Sequence, residues 1–182
     1  MTDIIDRIGH NKYWQFSQLS YLCISYLMDN DEEIWKRLKY ETSDAWEKTD
    51  LTHAEKAALV WAGVGEMTDF RVFMDTGQPD VWVEQPCVLR ISPYNMFPEN
   101  RTVGTIDMIF EVYSHFRINT LSNYTTRVDS IIERLLEILN GAQVFGIGRL
   151  SFSLMGNNQV RADATGVPPF KGRWLLMSNK VA

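Results

Sequence analysis

A chain of 182 residues with 45% hydrophobic and 12% aromatic residues can bury a sizeable core, which excludes wholesale disorder. A formal charge of −5 with scattered basic residues excludes a firm grip on a nucleic-acid backbone, where clustered Lys and Arg must displace counterions. The two cysteines, Cys23 and Cys87, lie too far apart for a C-x-x-C zinc or redox motif, and no apolar run reaches the ~20 residues of a membrane span. With no signal peptide, the expectation is a soluble, single-domain protein made in a reducing compartment with two buried thiols.

The first elements read as helices. In "WQFSQLSYLCISYLM", Phe16, Leu19, Leu22, Cys23, Tyr26 and Leu27 recur at three- and four-residue steps, the mark of one helical face. Asn30 and Glu33 have the spacing of a capping box for a second helix, with Ile34, Trp35 and Leu38 as its stripe. Thr52 and Glu55 repeat that spacing at a third helix, and Gly63 is placed to end it. The expected N-terminal helical region is 1–65.

Strand character begins after Gly65, and 66–182 reads as an α+β core. "DFRVFM" and "VWVEQPCVLRIS" are two strands, the second interrupted by Pro86, which suits an edge or a bulge. "DTGQPD" between them has turn chemistry, and "SPYNMFPEN" reads as a loop. "TVGTIDMIFEVYSHF" then alternates over its whole length. Ile106, Met108, Phe110, Val112 and Phe116 ask for a dry core, while Thr105, Asp107, Ile109, Glu111, Tyr113 and His115 share the opposite face. Ser122 or Asn123 is placed to cap the helix "YTTRVDSIIERLLEILNG", with Gly141 as its left-handed stop. "GIGRLSFSLM" and "GRWLLMS" are two final strands across a long loop. The order β-β-β-α-β-β predicts an α+β fold, a mainly antiparallel sheet packed against one long helix.

The chemical signals are weak. Asp107, Glu111 and His115 are each four residues apart on a strand, so neighbours are separated by ~13 Å and cannot share one metal. The same separation is too wide for a two-carboxylate hydrolase. His10, His53 and His115 fall in three segments, none beside a nucleophile motif. Gly146 and Gly148 lie between a helix and a strand, the reverse of a phosphate-binding loop, and read as a turn. Trp46, in a polar connection, and Trp82, near a strand end, are candidate interface anchors. No catalytic residue and no cofactor is expected. A rival reading is a small hydrolase using His115 or His53 with a carboxylate, and a third is an adaptor for a single partner.

"NDEEIWKRLKYETSDAWEKTDLTHAEKAALVW", "RVFMD", "TIDMIFEVYSH", "LLEILNGA" and "GIGRLSF" resemble neck and tail-terminator-type proteins of tailed bacteriophages. The resemblance runs from Asn30 to Ser178 and leaves out the N-terminal helix. It implies a virion protein at the neck or tail junction, assembled as a homo-oligomeric ring (a hexamer or dodecamer). Such a ring would meet portal or other connector proteins on one side and tail tube or sheath proteins on the other. DNA would pass through without specific binding. In that setting Asp107 and Glu111 are expected to face the lumen or solvent, since a repelling wall lets DNA slide. The segments Asp75 to Asp80, Ser92 to Asn100 and Gly156 to Gly172 are expected to be loops that become fixed on assembly.

Overall fold

The computed structural model describes residues 18–74, 86–98, 104–144, 149–152, 160–162 and 170–181. Helix α1 (Leu19–Asn30) and helix α2 (Glu33–Lys39) are followed by a 3-10 turn at Ala45–Glu47 and helix α3 (His53–Ala58). Strands β1 (Val72–Phe73), β2 (Cys87–Pro98) and β3 (Gly104–His115) precede helix α4 (Arg127–Leu139). Strands β4 (Leu150–Ser151), β5 (Val160–Ala162) and β6 (Phe170–Val181) complete one six-stranded sheet. The fold is α+β, as its order of elements predicts.

The sheet order is β1-β2-β3-β6-β4, with β5 also paired to β6. Every pairing is antiparallel except β1 with β2. The long ladders run β2 to β3 and β3 to β6, and their register places Phe110 opposite both Ile91 and Leu175. Three helices share the cover of one sheet face, where a single long helix was expected. Leu19, Cys23, Ile24 and Leu27 of α1, Trp35 and Leu38 of α2, and Ile131, Leu135 and Leu139 of α4 meet Leu89, Met108, Phe110 and Met177 in one apolar cluster. Both cysteines are buried free thiols, and burial pushes Cys23 up to about 12 and Cys87 up to about 11.

Local chemistry explains where these elements start and stop. The capping box at α3 forms as its sequence reads: Thr52 Oγ1 accepts from Glu55 N at 3.3 Å and Glu55 Oε2 accepts from Thr52 N at 2.9 Å. The helix ends at Ala58 rather than at Gly63, because Val60 bridges in parallel to Val72 and draws the chain onto the sheet. At α2 the expected Asn30 box is absent. Asn30 closes α1 by donating to Tyr26 O, and Asp31 Oδ2 takes the N-capping role by accepting from Ile34 N at 2.6 Å. At α4 the cap is Thr126 rather than Ser122 or Asn123, with Thr126 Oγ1 accepting from Asp129 N at 3.1 Å. Gly141, at φ +84°, provides the left-handed stop.

Two expected loops are partly strand. Ser92 to Asn100 is β2 through Pro98, carried across a bulge between Pro93 and Asn95 by continued pairing with β3. Gly156 to Gly172 contains β5 and the first residues of β6. The Asp75 to Asp80 turn, Gly146 and Gly148 lie outside the described residues.

Candidate interaction surfaces

The alternation of β3 sets two unlike surfaces back to back. Ile106, Met108, Phe110 and Val112 enter the helix-covered core, while Asp107, Ile109, Glu111, Tyr113 and His115 share the other face. The register brings Arg90 and Ser92 of β2 and Trp174, Leu176 and Ser178 of β6 beside them. Ser178 Oγ donates to Asp107 Oδ1 at 2.7 Å, and Arg90 Nη1 lies 3.5 Å from Glu111 Oε2. Tyr113 donates its hydroxyl proton to Glu111 Oε1 at 3.3 Å, and the Arg90 guanidinium sits 5.8 Å from the Tyr113 ring centre.

This face is closed in the single chain. Asp107 is 3% exposed and the Glu111 side chain 16%. The expectation that these carboxylates look onto a lumen or solvent is therefore corrected at the level of one subunit. Arg90 lies directly opposite Glu111 and Ser178 opposite Asp107, so each carboxylate has a polar cross-strand neighbour within this buried face.

The histidines stand apart from one another. His115 is enclosed by Phe116, at 4.9 Å between ring centres, and by the edge of Phe170 at 5.5 Å. Its Nδ1 accepts from Arg117 N at 3.3 Å, and burial, then the nearby Arg117 charge, push the imidazole below its ordinary pKa. His53 sits at the surface in α3, with Nε2 3.8 Å from Asp29 Oδ1. His10 lies outside the described residues. Among the described residues no group of three or more His, Cys, Asp and Glu side chains is arranged to hold a metal ion. No described helix is long and apolar enough to cross a membrane.

Exposed apolar side chains gather at the two ends of the long strands. Beyond Arg90 no described strand pairs with the outer edge of β2, and there Tyr94, Met96 and Phe97 are all exposed. Met96 pairs with Ile106 and Phe97 with Thr105, so the two side chains leave the hairpin on opposite faces. Pro93 and Pro98 flank this stretch and carry no backbone N–H, which suits an edge strand.

At the other end, past His115, the chain turns through Phe116 to Thr126. Ser122 N donates to Ser43 O at 2.9 Å, and the Trp46 indole donates to Ser122 Oγ at 3.0 Å. Trp46 is thus a partly exposed anchor on the 3-10 turn, held by the turn that precedes α4. Trp82 lies outside the described residues. Tyr124 is 98% exposed at φ +65°, a backbone region that a bulky residue rarely takes. Beside it an open groove of about 460 Å³ runs along α4 to β6, lined by Tyr124, Thr125, Asp129, Glu133, Leu136 and Arg173 among others. Asp129 and Arg173 pair directly across it.

The sequence reading did not find the exposed end of β2 or the Tyr124 turn. The prolines at 93 and 98 were the available signal for an edge strand; nothing in "LSNYTT" announces a tyrosine in the left-handed region. No curated protein matches the chain. The YomW family profile matches residues 31–166, which is more than half of the sequence, from just before α2 to beyond β5 and short of β6. The chain belongs to the YomW family and is a phage-related protein.

Proposed function

We propose that this protein is a structural subunit of a phage head–tail connector, a neck or tail-terminator ring joining the portal and capsid to the tail. It acts by assembly, without catalysis or a cofactor. The observation that carries the reading is the uncharged end of β2, where Tyr94, Met96 and Phe97 are exposed together on a stretch whose outer edge pairs with no described strand. A monomer gains nothing by keeping such a surface in water, whereas an assembling subunit needs one. Membership of a phage-related family supports the same reading. Trp46 gives a second anchor for a neighbouring connector protein.

The formal charge of −5 suits a ring through which DNA passes without being held. The closed arrangement of Asp107 and Glu111 moves that role away from the β3 face and onto the net charge of the subunit. Mass photometry with negative-stain imaging of the purified full chain over a wide concentration range tests the proposal. Closed rings with an open centre are the expected result. A strict monomer at every concentration would contradict it.

A further inference from the structure

Asp31 joins three helices at the corner between α1 and α2. Its carboxylate is 0% exposed. Oδ2 accepts from Ile34 N at 2.6 Å and caps α2, while Oδ1 accepts from Arg134 Nε of α4 at 2.7 Å. The Asp31 carbonyl accepts from Lys56 Nζ of α3 at 2.7 Å, and the same ammonium donates to Met28 O and Glu32 Oε1. Arg134 differs from these partners in standing at the surface. Its side chain is 38% exposed, and its Nη1 donates to Glu137 Oε2 at 2.8 Å, on a side chain 65% exposed.

We infer that Asp31 and Arg134 form an acid-released clasp between the α1–α2 corner and α4. An ionised carboxylate accepts on both oxygens, whereas a carboxylic acid donates from one of them. A proton on Oδ1 sets a donor against the Arg134 donor, and that pair breaks. Oδ2 still accepts from Ile34 N, so the cap of α2 survives. The guanidinium moves into water, so no unpaired cation is left buried. The other charges around Asp31 are already committed. Lys56 is turned to the carbonyls and Glu32, and Glu33 pairs with Lys36 and Arg37, each at 2.7 Å. Burial raises the Asp31 pKa from its ordinary 3.8, against the lowering effect of the Ile34 N–H and Arg134. The folded value lies above the unfolded one, so this group's contribution to stability grows as pH falls through that window. The clasp therefore opens within the folded molecule.

An NMR titration of the full chain tests the clasp, following the Asp31 carboxyl carbon and the Arg134 Nε–H. The Asp31 midpoint is expected above 3.8, with the Arg134 signal shifting at the same pH. Asp31→Asn keeps a capping oxygen, and in it the Arg134 signal should already stand at its acid position at neutral pH. In Glu137→Gln the Arg134 shift should persist at the Asp31 midpoint. A midpoint at or below 3.8, or an Arg134 signal that does not follow Asp31, overturns the inference. Loss of the shift in Glu137→Gln also overturns it, because the change would then belong to the surface pair. Collapse of the amide spectrum in the same step overturns it as well, since opening would be unfolding. Should Asp31→Asn fail to fold, the titrations of the unaltered chain and of Glu137→Gln still decide.

Discussion

Arg127 opens α4, yet most of what it holds belongs to other elements. It is fully buried, and its guanidinium donates to the carbonyls of Ile118 at 2.9 Å, Arg37 at 2.6 Å, Tyr40 at 2.7 Å and Thr42 at 2.8 Å. Arg37 and Tyr40 stand at the C-terminus of α2, where helix carbonyls lack internal partners and a cation is favoured. Burial lowers the guanidinium pKa, but the group stays charged because its donors are spent on these oxygens. Replacing it by Met leaves the carbonyls without their donor, and the expected loss is about 3 kcal/mol. Arg127→Lys should recover less than half, since one ammonium cannot reach in all these directions. Urea unfolding measures both; a loss below about 1 kcal/mol in Arg127→Met would refute this role.

At the scale of elements, short helices are fixed by contacts with one another as much as by their own sequence. Lys39 at the end of α2 donates to Glu55 Oε1 at 2.7 Å, and Glu55 is also the capping residue of α3. The Lys39 hydrogen bond, then those from Thr52, lower Glu55 from 4.5 to about 2. Because the folded value lies below the unfolded one, the stabilisation is present above pH 4.5 and is lost as pH falls through about 2. In Lys39→Ala the Glu55 midpoint is expected to rise toward 4.5, followed by carboxyl-carbon NMR. An unchanged midpoint would show that Lys39 does not hold it.

The same elements show what the sequence makes legible. The Thr52 box and the Gly141 stop depend on residues within a few positions, so both appear in the sequence and in the structure. The β3 alternation likewise places Ile106, Met108, Phe110 and Val112 in the core, whereas Phe116, expected there too, falls past the end of the strand and is exposed. What escaped the reading depends on distant partners. Asp31 replaces Asn30 as a cap because Arg134 of α4 also binds it, with Nε 2.7 Å from Oδ1. β2 runs on through "SPYNMFP" because β3 supplies a ladder that local propensity does not foretell. The partners of Asp107 and Glu111, Ser178 and Arg90, arrive from other strands.

For the whole molecule, one helix-covered core leaves the strand ends to deal with neighbours. Exposed apolar side chains lie at both ends of β3, Tyr94, Met96 and Phe97 at one and Phe116 and Tyr124 at the other. The chain belongs to a phage-related family, and under the proposed connector role its acidic balance would keep DNA from binding along the channel. The most direct measurement is electron microscopy of the phage particles formed with and without the gene for this chain. A head–tail connector predicts filled heads and separate tails when the gene is deleted, with joining restored when the full chain is supplied. Complete, joined particles in its absence would contradict the account.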